Sequence, residues 1–163
     1  LIGPVIELAA RTQTKVALLG STQEALSRAA HRLQQRYPEA QIVLILSPAM
    51  GFDPQGPVAD AALEAIADSG AGLCFLALGA PKQEIFASRA HARLPHVGFL
   101  SIGAGLDFIA GTQRRAPRLV RMLACEWLWR LARDPKRLAM RYGACLRILP
   151  ILTWSALRVR ILG

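Results

Sequence analysis

Four short apolar runs, each leading into a loop that contains glycine, constrain this chain more than any other feature. They are Lys15–Gly20, Gln41–Leu46, Gly72–Leu78 and His96–Ile102. Each is short and apolar almost throughout, which is how a strand covered on both faces of a parallel sheet reads. Helical stretches lie between them. Ser21 or Thr22 is placed to cap the first, with Glu24 in its first turn. Its apolar positions Ala25, Ala29 and Leu33 are four apart, and Pro38 stops it after about Tyr37. Pro57 opens the second helix, which runs to Ser69, and a third follows Gly79–Glu84 and continues to about Arg93. Alternation of this kind predicts an α/β domain with a mostly parallel sheet, flanking helices and right-handed crossovers. In such sheets ligands sit beyond the carboxyl ends of the strands, so the loops after Leu19, Leu46, Leu78 and Ile102 are the expected rim of a site.

The charge is unevenly placed. Residues 1–110 carry eight Lys and Arg against nine Asp and Glu, a net of −1, whereas residues 111–163 carry twelve against two, a net of +10. This divides the chain into an α/β core over residues 1–112 and a basic, helical appendage over residues 113–163. Such a block suits a polyanion: nucleic acid, anionic lipid or a diphosphate. No nucleic-acid motif accompanies the charge, and nucleic acid is not an expected partner. Trp127, Trp129 and Trp154 among the arginines either suit a membrane surface or are packed, in a core or against the domain or a partner subunit, beside exposed basic residues. No run of eighteen uncharged apolar residues is present, so a spanning helix is not expected, and the apolar N-terminus lacks the basic leader of a signal peptide. The three cysteines form no CxxC or Cys/His cluster, and His31, His91 and His96 show no metal spacing, so no metal site is expected.

Candidate chemistry gathers at the rim. Gly79-Ala-Pro-Lys-Gln-Glu84 sits where the third strand meets a helix, and free backbone N–H groups with the helix dipole favour an anion there. Pro81 fits the first turn, Lys82 adds charge, Gln83 offers donor and acceptor, and Glu84 either meets a sugar hydroxyl or complements the dipole. Gly103 and Gly105 allow close backbone approach to a ligand, and Asp107 is placed to bind a ribose or sugar hydroxyl or to cap the next turn. The full GxGxxG pattern is absent, against a nicotinamide dehydrogenase. Arg114 and Arg115 either grip a diphosphate through forked hydrogen bonds or form a solvated basic turn.

These segments, in this order, resemble the WecG/TagA/CpsF glycosyltransferase family. The resemblance rests on Gly79-Ala-Pro-Lys-Gln-Glu84, Gly103-Ala-Gly-Leu-Asp-Phe-Ile-Ala-Gly111, Arg115-Ala-Pro117, Glu126-Trp-Leu-Trp-Arg-Leu131 and Asp134-Pro-Lys-Arg137. Ser47-Pro-Ala-Met-Gly-Phe52 looks like the family's Pro-Pro-Phe-Gly-Phe loop. The resemblance implies a Rossmann-like core that binds a UDP-sugar, and a bacterial enzyme that moves a hexose or N-acetylhexosamine, such as N-acetylmannosamine, with inversion. The acceptor it implies is a polyprenyl-diphosphate-linked sugar, in cell-surface polysaccharide assembly at the cytoplasmic face of the plasma membrane. It implies no cofactor and no bound metal, and it leaves a homo-oligomer open. Gln83 matches the family's active-site glutamine; Arg130 and Arg137 match basic appendage positions that meet the lipid diphosphate, with Arg141 as a further one.

The departures concern catalysis. The family carries a segment before the residues that match Leu1, with an Asp-Gly motif whose aspartate is its proposed general base, and no stretch of residues 1–163 matches it. Phe86 stands where the family has Trp, and Ala124-Cys125 where it has Gly-Leu. The alternative expectation is therefore a truncated or degenerate member that binds nucleotide or lipid without transfer.

Overall fold

In the computed structural model the described residues are 2–112 together with 122, 128, 135, 143, 150, 153 and 154. The chain divides into compact units Leu1–Arg114 and Arg115–Gly163, and every element named below belongs to the first. The helical, basic appendage expected over residues 113–163 lies almost wholly outside the described residues.

The elements follow in order: α1 Ile2–Arg11, β1 Val16–Gly20, α2 Gln23–Arg36, β2 Ile42–Leu46, α3 Pro57–Asp68, β3 Leu73–Ala77, α4 Lys82–Arg93, β4 Gly98–Ser101 and α5 Gly105–Ala110. The strands form one sheet in the order β2-β1-β3-β4, and every pairing is parallel. This is the α/β architecture that the apolar runs imply. Thr22 caps α2 by accepting a hydrogen bond from the Ala25 amide at 3.2 Å, a contact typically worth about 1 kcal/mol. Pro57 opens α3, where its missing N–H leaves no helical partner wanting.

Side chains alternate across a strand, so β1 and β3 feed two separate cores. Val16, Leu18 and Phe75 point to one face, under Ile6 of α1, Leu26 and Ala29 of α2 and Leu106 of α5. Ala17, Leu19, Cys74 and Leu76 point to the other, under Leu63 and Ile66 of α3 and Phe86 of α4. All five residues of β1 are buried, whereas Val43 of β2 and Ser101 of β4 are exposed. The central strands therefore read as continuous apolar runs, and the outer two are more mixed.

Two helices were not legible in the sequence. Gly3 and Pro4 look like breakers, yet Pro4 sits in the first turn of α1, where backbone N–H groups have no intrahelical acceptor to lose. Ile2, Val5, Ile6 and Ala9 then recur at helical spacing and pack on the sheet. At the other end, Gly103-Ala-Gly105 does not simply turn: Gly105 begins α5, which Gly111 ends in a left-handed conformation at φ +75°.

The strand order sets the site. From β1 the chain moves outward to β2, then returns across β1 to β3 and on to β4. The direction of winding thus reverses between β1 and β3. A crevice opens at such a switch point, at the carboxyl ends of the strands.

Candidate active site

The carboxyl ends of β1 and β3 approach each other closely. Gly20 has φ +112°, and a Cβ there would lie 2.5 Å from the Ala77 carbonyl carbon, so only glycine fits. Ser21 follows, also left-handed at φ +55°, a conformation that costs a residue other than glycine on the order of 1–2 kcal/mol. Its amide donates to the Ala77 carbonyl at 3.0 Å. Its carbonyl accepts from Ser47 Oγ at 2.8 Å, and its own hydroxyl donates to Asp107 Oδ1 at 2.6 Å. Ser21 thus joins the last residue of β3, the loop after β2 and helix α5 after β4.

The turn after β3 runs into α4. Gly79 is left-handed at φ +76°, the Ala80–Pro81 peptide is cis, and no side chain caps the N-terminus of α4. Among the described residues, nothing lies within 4 Å of a Cβ built on Gly79 or on Gly103, so neither glycine is packed against them. The three polar residues that open α4 each reach a neighbour. Lys82 Nζ donates to the Phe52 carbonyl at 2.7 Å, which pins the loop after β2. Gln83 is the one buried polar residue among those described, 8% exposed. Its Oε1 accepts from the Gly103 amide at 3.2 Å, and its Nε2 donates to Glu84 Oε1 at 2.8 Å. Gln83 therefore ties the β3 loop to the β4 loop, and Glu84 orients Gln83. Phe52 is pinned at its ring too, 6.0 Å from Phe86, which also meets Phe99 edge-on at 6.5 Å.

Gly79, Pro81, Lys82, Gln83, Glu84, Gly103 and Asp107 thus all lie around the carboxyl ends of the strands. Gly105 is turned differently: a Cβ there would press on Ile2 Cδ1 at 2.7 Å, so this glycine packs against α1. Arg114, Arg115, Arg130, Arg137 and Arg141 lie outside the described residues. Ser21 and Ser47 are the polar rim residues that sequence reasoning passed over. In the sequence Ser21 reads as a helix cap, and the signal for its other role is that it directly follows Gly20 at the end of β1.

Other groups stand apart from this crevice. Cys74 is buried in β3, and burial pushes its thiol up to about 12, so it stays protonated and unreactive. Arg89 Nη2 donates to Asp60 Oδ1 at 2.6 Å and Arg93 reaches the same oxygen, which joins α4 to α3. The Arg89 hydrogen bond is the main reason that the Asp60 carboxyl stays below its usual range. A hollow of about 450 Å³ lies between α4 and β4, toward the amino end of β4, with Ser88, His91, His96 and Phe99 in its wall. Loops do not converge there, and polar groups do not meet as they do at Ser21 and Gln83, so the candidate site is the crevice. Among the described residues, no group of three or more His, Cys, Asp or Glu is placed to hold a metal, and no helix is long and apolar enough to cross a membrane.

Residues 1–162 match the Glycosyl transferase WecG/TagA/CpsF family. The chain belongs to that family. As a WecG/TagA/CpsF glycosyltransferase it acts on a sugar donor and an acceptor, and the crevice can be read in those terms. The N-terminus of α4 has no side-chain cap and offers a positive dipole end to an anion, although the Gln83 amide is already taken by the Gly79 carbonyl at 3.0 Å. Beside it, Gly79 and Gly103 leave room for a ligand to approach backbone. Gln83 and Lys82 keep these parts in place.

Proposed function

We propose that this WecG/TagA/CpsF glycosyltransferase transfers a hexose or N-acetylhexosamine from a UDP-sugar, with inversion, to a polyprenyl-diphosphate-linked sugar in bacterial cell-surface polysaccharide synthesis. It works from the cytoplasmic face of the membrane. The observation that carries the donor half of this reading is the convergence of the open α4 N-terminus, Gly79, Gly103 and Asp107 on one crevice at the strand-order switch point. A diphosphate suits the amides at the end of α4, and a carboxylate at the strand ends suits ribose hydroxyls. The acceptor half rests on the +10 charge of residues 111–163 and their tryptophans, which suit an anionic lipid surface and a lipid diphosphate. Arg130, Arg137 and Arg141 are the proposed contacts to the lipid diphosphate, with Arg114 and Arg115 as further substrate-binding residues that grip a diphosphate.

Inverting transfer needs in-line attack by the acceptor hydroxyl, a base for its proton and stabilisation of the departing diphosphate. The α4 N-terminus and Lys82 supply positive potential for the last of these. Gln83 holds the Gly103 loop against that end, so that leaving group and sugar meet a preset surface.

The test is release of UDP from a panel of UDP-hexoses and UDP-N-acetylhexosamines, with a polyprenyl-diphosphate-linked sugar and anionic liposomes present. Turnover that needs both substrates supports the proposal. Binding of UDP without turnover for any pair supports a binding-only member. Absence of both overturns the donor reading.

A further inference from the structure

Ser21 carries more than its place in a turn requires. Gly20 already reverses the chain at φ +112°, and the next position is left-handed as well, where glycine is the residue with least strain. A serine stands there instead. Among the described residues only Gln13 shares this conformation without being glycine. Strain of this kind persists where surrounding bonds over-determine it, and it gathers at working sites. Here the bonds are the amide to Ala77, the carbonyl from Ser47 and the hydroxyl to Asp107. Glycine would keep the two backbone bonds. The hydroxyl bond alone depends on serine.

That bond joins residues 86 positions apart, and at 2.6 Å it falls in the range of a hydroxyl donating to an ionised carboxylate. It engages Oδ1 of Asp107, and among the described residues Oδ2 takes no bond. We propose that Ser21 is a positioning residue: its hydroxyl holds the Asp107 carboxylate so that Oδ2 faces the crevice to accept a ribose hydroxyl of the nucleotide donor. This rests on the donor reading above. Asp107 makes the contact, and Ser21 acts through it. The strained serine is thus explained by a hydroxyl that a relaxed glycine lacks.

The experiment titrates UDP into the full 163-residue chain by calorimetry, with Ser21→Gly, Ser21→Ala, Asp107→Asn and the Ser21→Gly/Asp107→Asn double variant beside it. Each is measured well below its melting transition. Ser21→Gly relieves the backbone and removes the hydroxyl, so it separates folding from positioning. The expected result is a loss of UDP affinity of about tenfold in both Ser21 variants, the size of one lost hydrogen bond. Asp107→Asn loses at least as much, and the double variant loses no more than Asp107→Asn alone, because the hydroxyl works through the carboxylate. Wild-type affinity in a folded Ser21→Gly overturns the proposal, and so do additive losses in the double variant. A wild-type chain that binds no UDP overturns the donor reading, and this inference with it. Tight binding by wild type and Ser21 variants alike overturns the role of Ser21 alone.

Discussion

The two ends of α4 carry polar clusters of similar make-up and different use. At the N-terminal end, Lys82 and Gln83 bond to backbone groups of distant loops: the Phe52 carbonyl after β2 and the Gly103 amide after β4. At the C-terminal end, Arg89 and Arg93 converge on one side chain, Asp60 of α3. Gln83 is buried, whereas the side chain of Asp60 is 38% exposed. Water competes for the second cluster more than for the buried Gln83. Exposed ion pairs contribute little, while a buried amide that loses its partner costs its full desolvation. The comparison teaches that a polar group shapes a site when it binds backbone out of water, and that charge count is a poor guide to this.

Phe86 lies between the two ends and supports both, so it is the most severe challenge to the contrast. Phe86→Ala leaves a cavity under Phe52 and Phe99, with an expected loss of about 3–5 kcal/mol in chemical denaturation and failure of both ends together. A loss below about 1 kcal/mol would show that the Phe52 loop is held by Lys82 alone.

Gln83→Ala tests the buried end directly. It strands the Gly103 amide and frees the β4 loop, with an expected cost of about 1–3 kcal/mol and a fall in UDP affinity beyond tenfold. Calorimetric titration beside urea unfolding reads both. Unchanged affinity in the folded variant would remove Gln83 from the crevice's architecture.

Lys82→Met keeps the aliphatic stem and removes the donor to Phe52, so the expected effect is smaller, about 1 kcal/mol of stability. Proteolysis within residues 47–56 should quicken, and mass mapping of early cleavage sites checks it.

Asp60→Asn is the mildest change and addresses the exposed end. UDP affinity should be unchanged. The Asp60 pKa is depressed in the folded state, so its contribution is present above the unfolded value near 3.8 and is lost as pH falls through the lower folded value. The wild type should therefore be slightly the more stable at neutral pH, and the gap should close under acid. Melting curves from pH 7 down to about pH 2.5 check the sign. A gap that widens in acid would mean that Asp60 is stabilised in its protonated form.

What was legible depended on how local the cause is. The four strands and α2, α3 and α4 follow from neighbours in the chain: runs such as Val16-Ala-Leu-Leu19 buried on both faces, and end signals such as Thr22 and Pro57. Helices α1 and α5 were masked by Gly3-Pro4 and Gly103-Ala-Gly105, residues that break a helix in its middle and are tolerated at its start. At the site, the strand-to-helix junction and its polar triplet Lys82-Gln83-Glu84 could be located from the chain alone. Their bonds could not: Lys82 reaches back 30 residues to Phe52, Gln83 forward 20 to Gly103, and Ser21 forward 86 to Asp107.

By itself, then, the order of residues determined an α/β sheet, the places where its strands end and the family to which the chain belongs, because apolar runs and turn residues act over a few positions. Which polar groups share a crevice was decided by tertiary structure. The strand order β2-β1-β3-β4 sets β1 between β2 and β3, which carries Ser21 to Ser47 and Ala77, and the packing of α5 on the same core brings Asp107 to it. A hydrogen bond acts only over about 3 Å, so its partners are chosen by packing and not by distance along the chain.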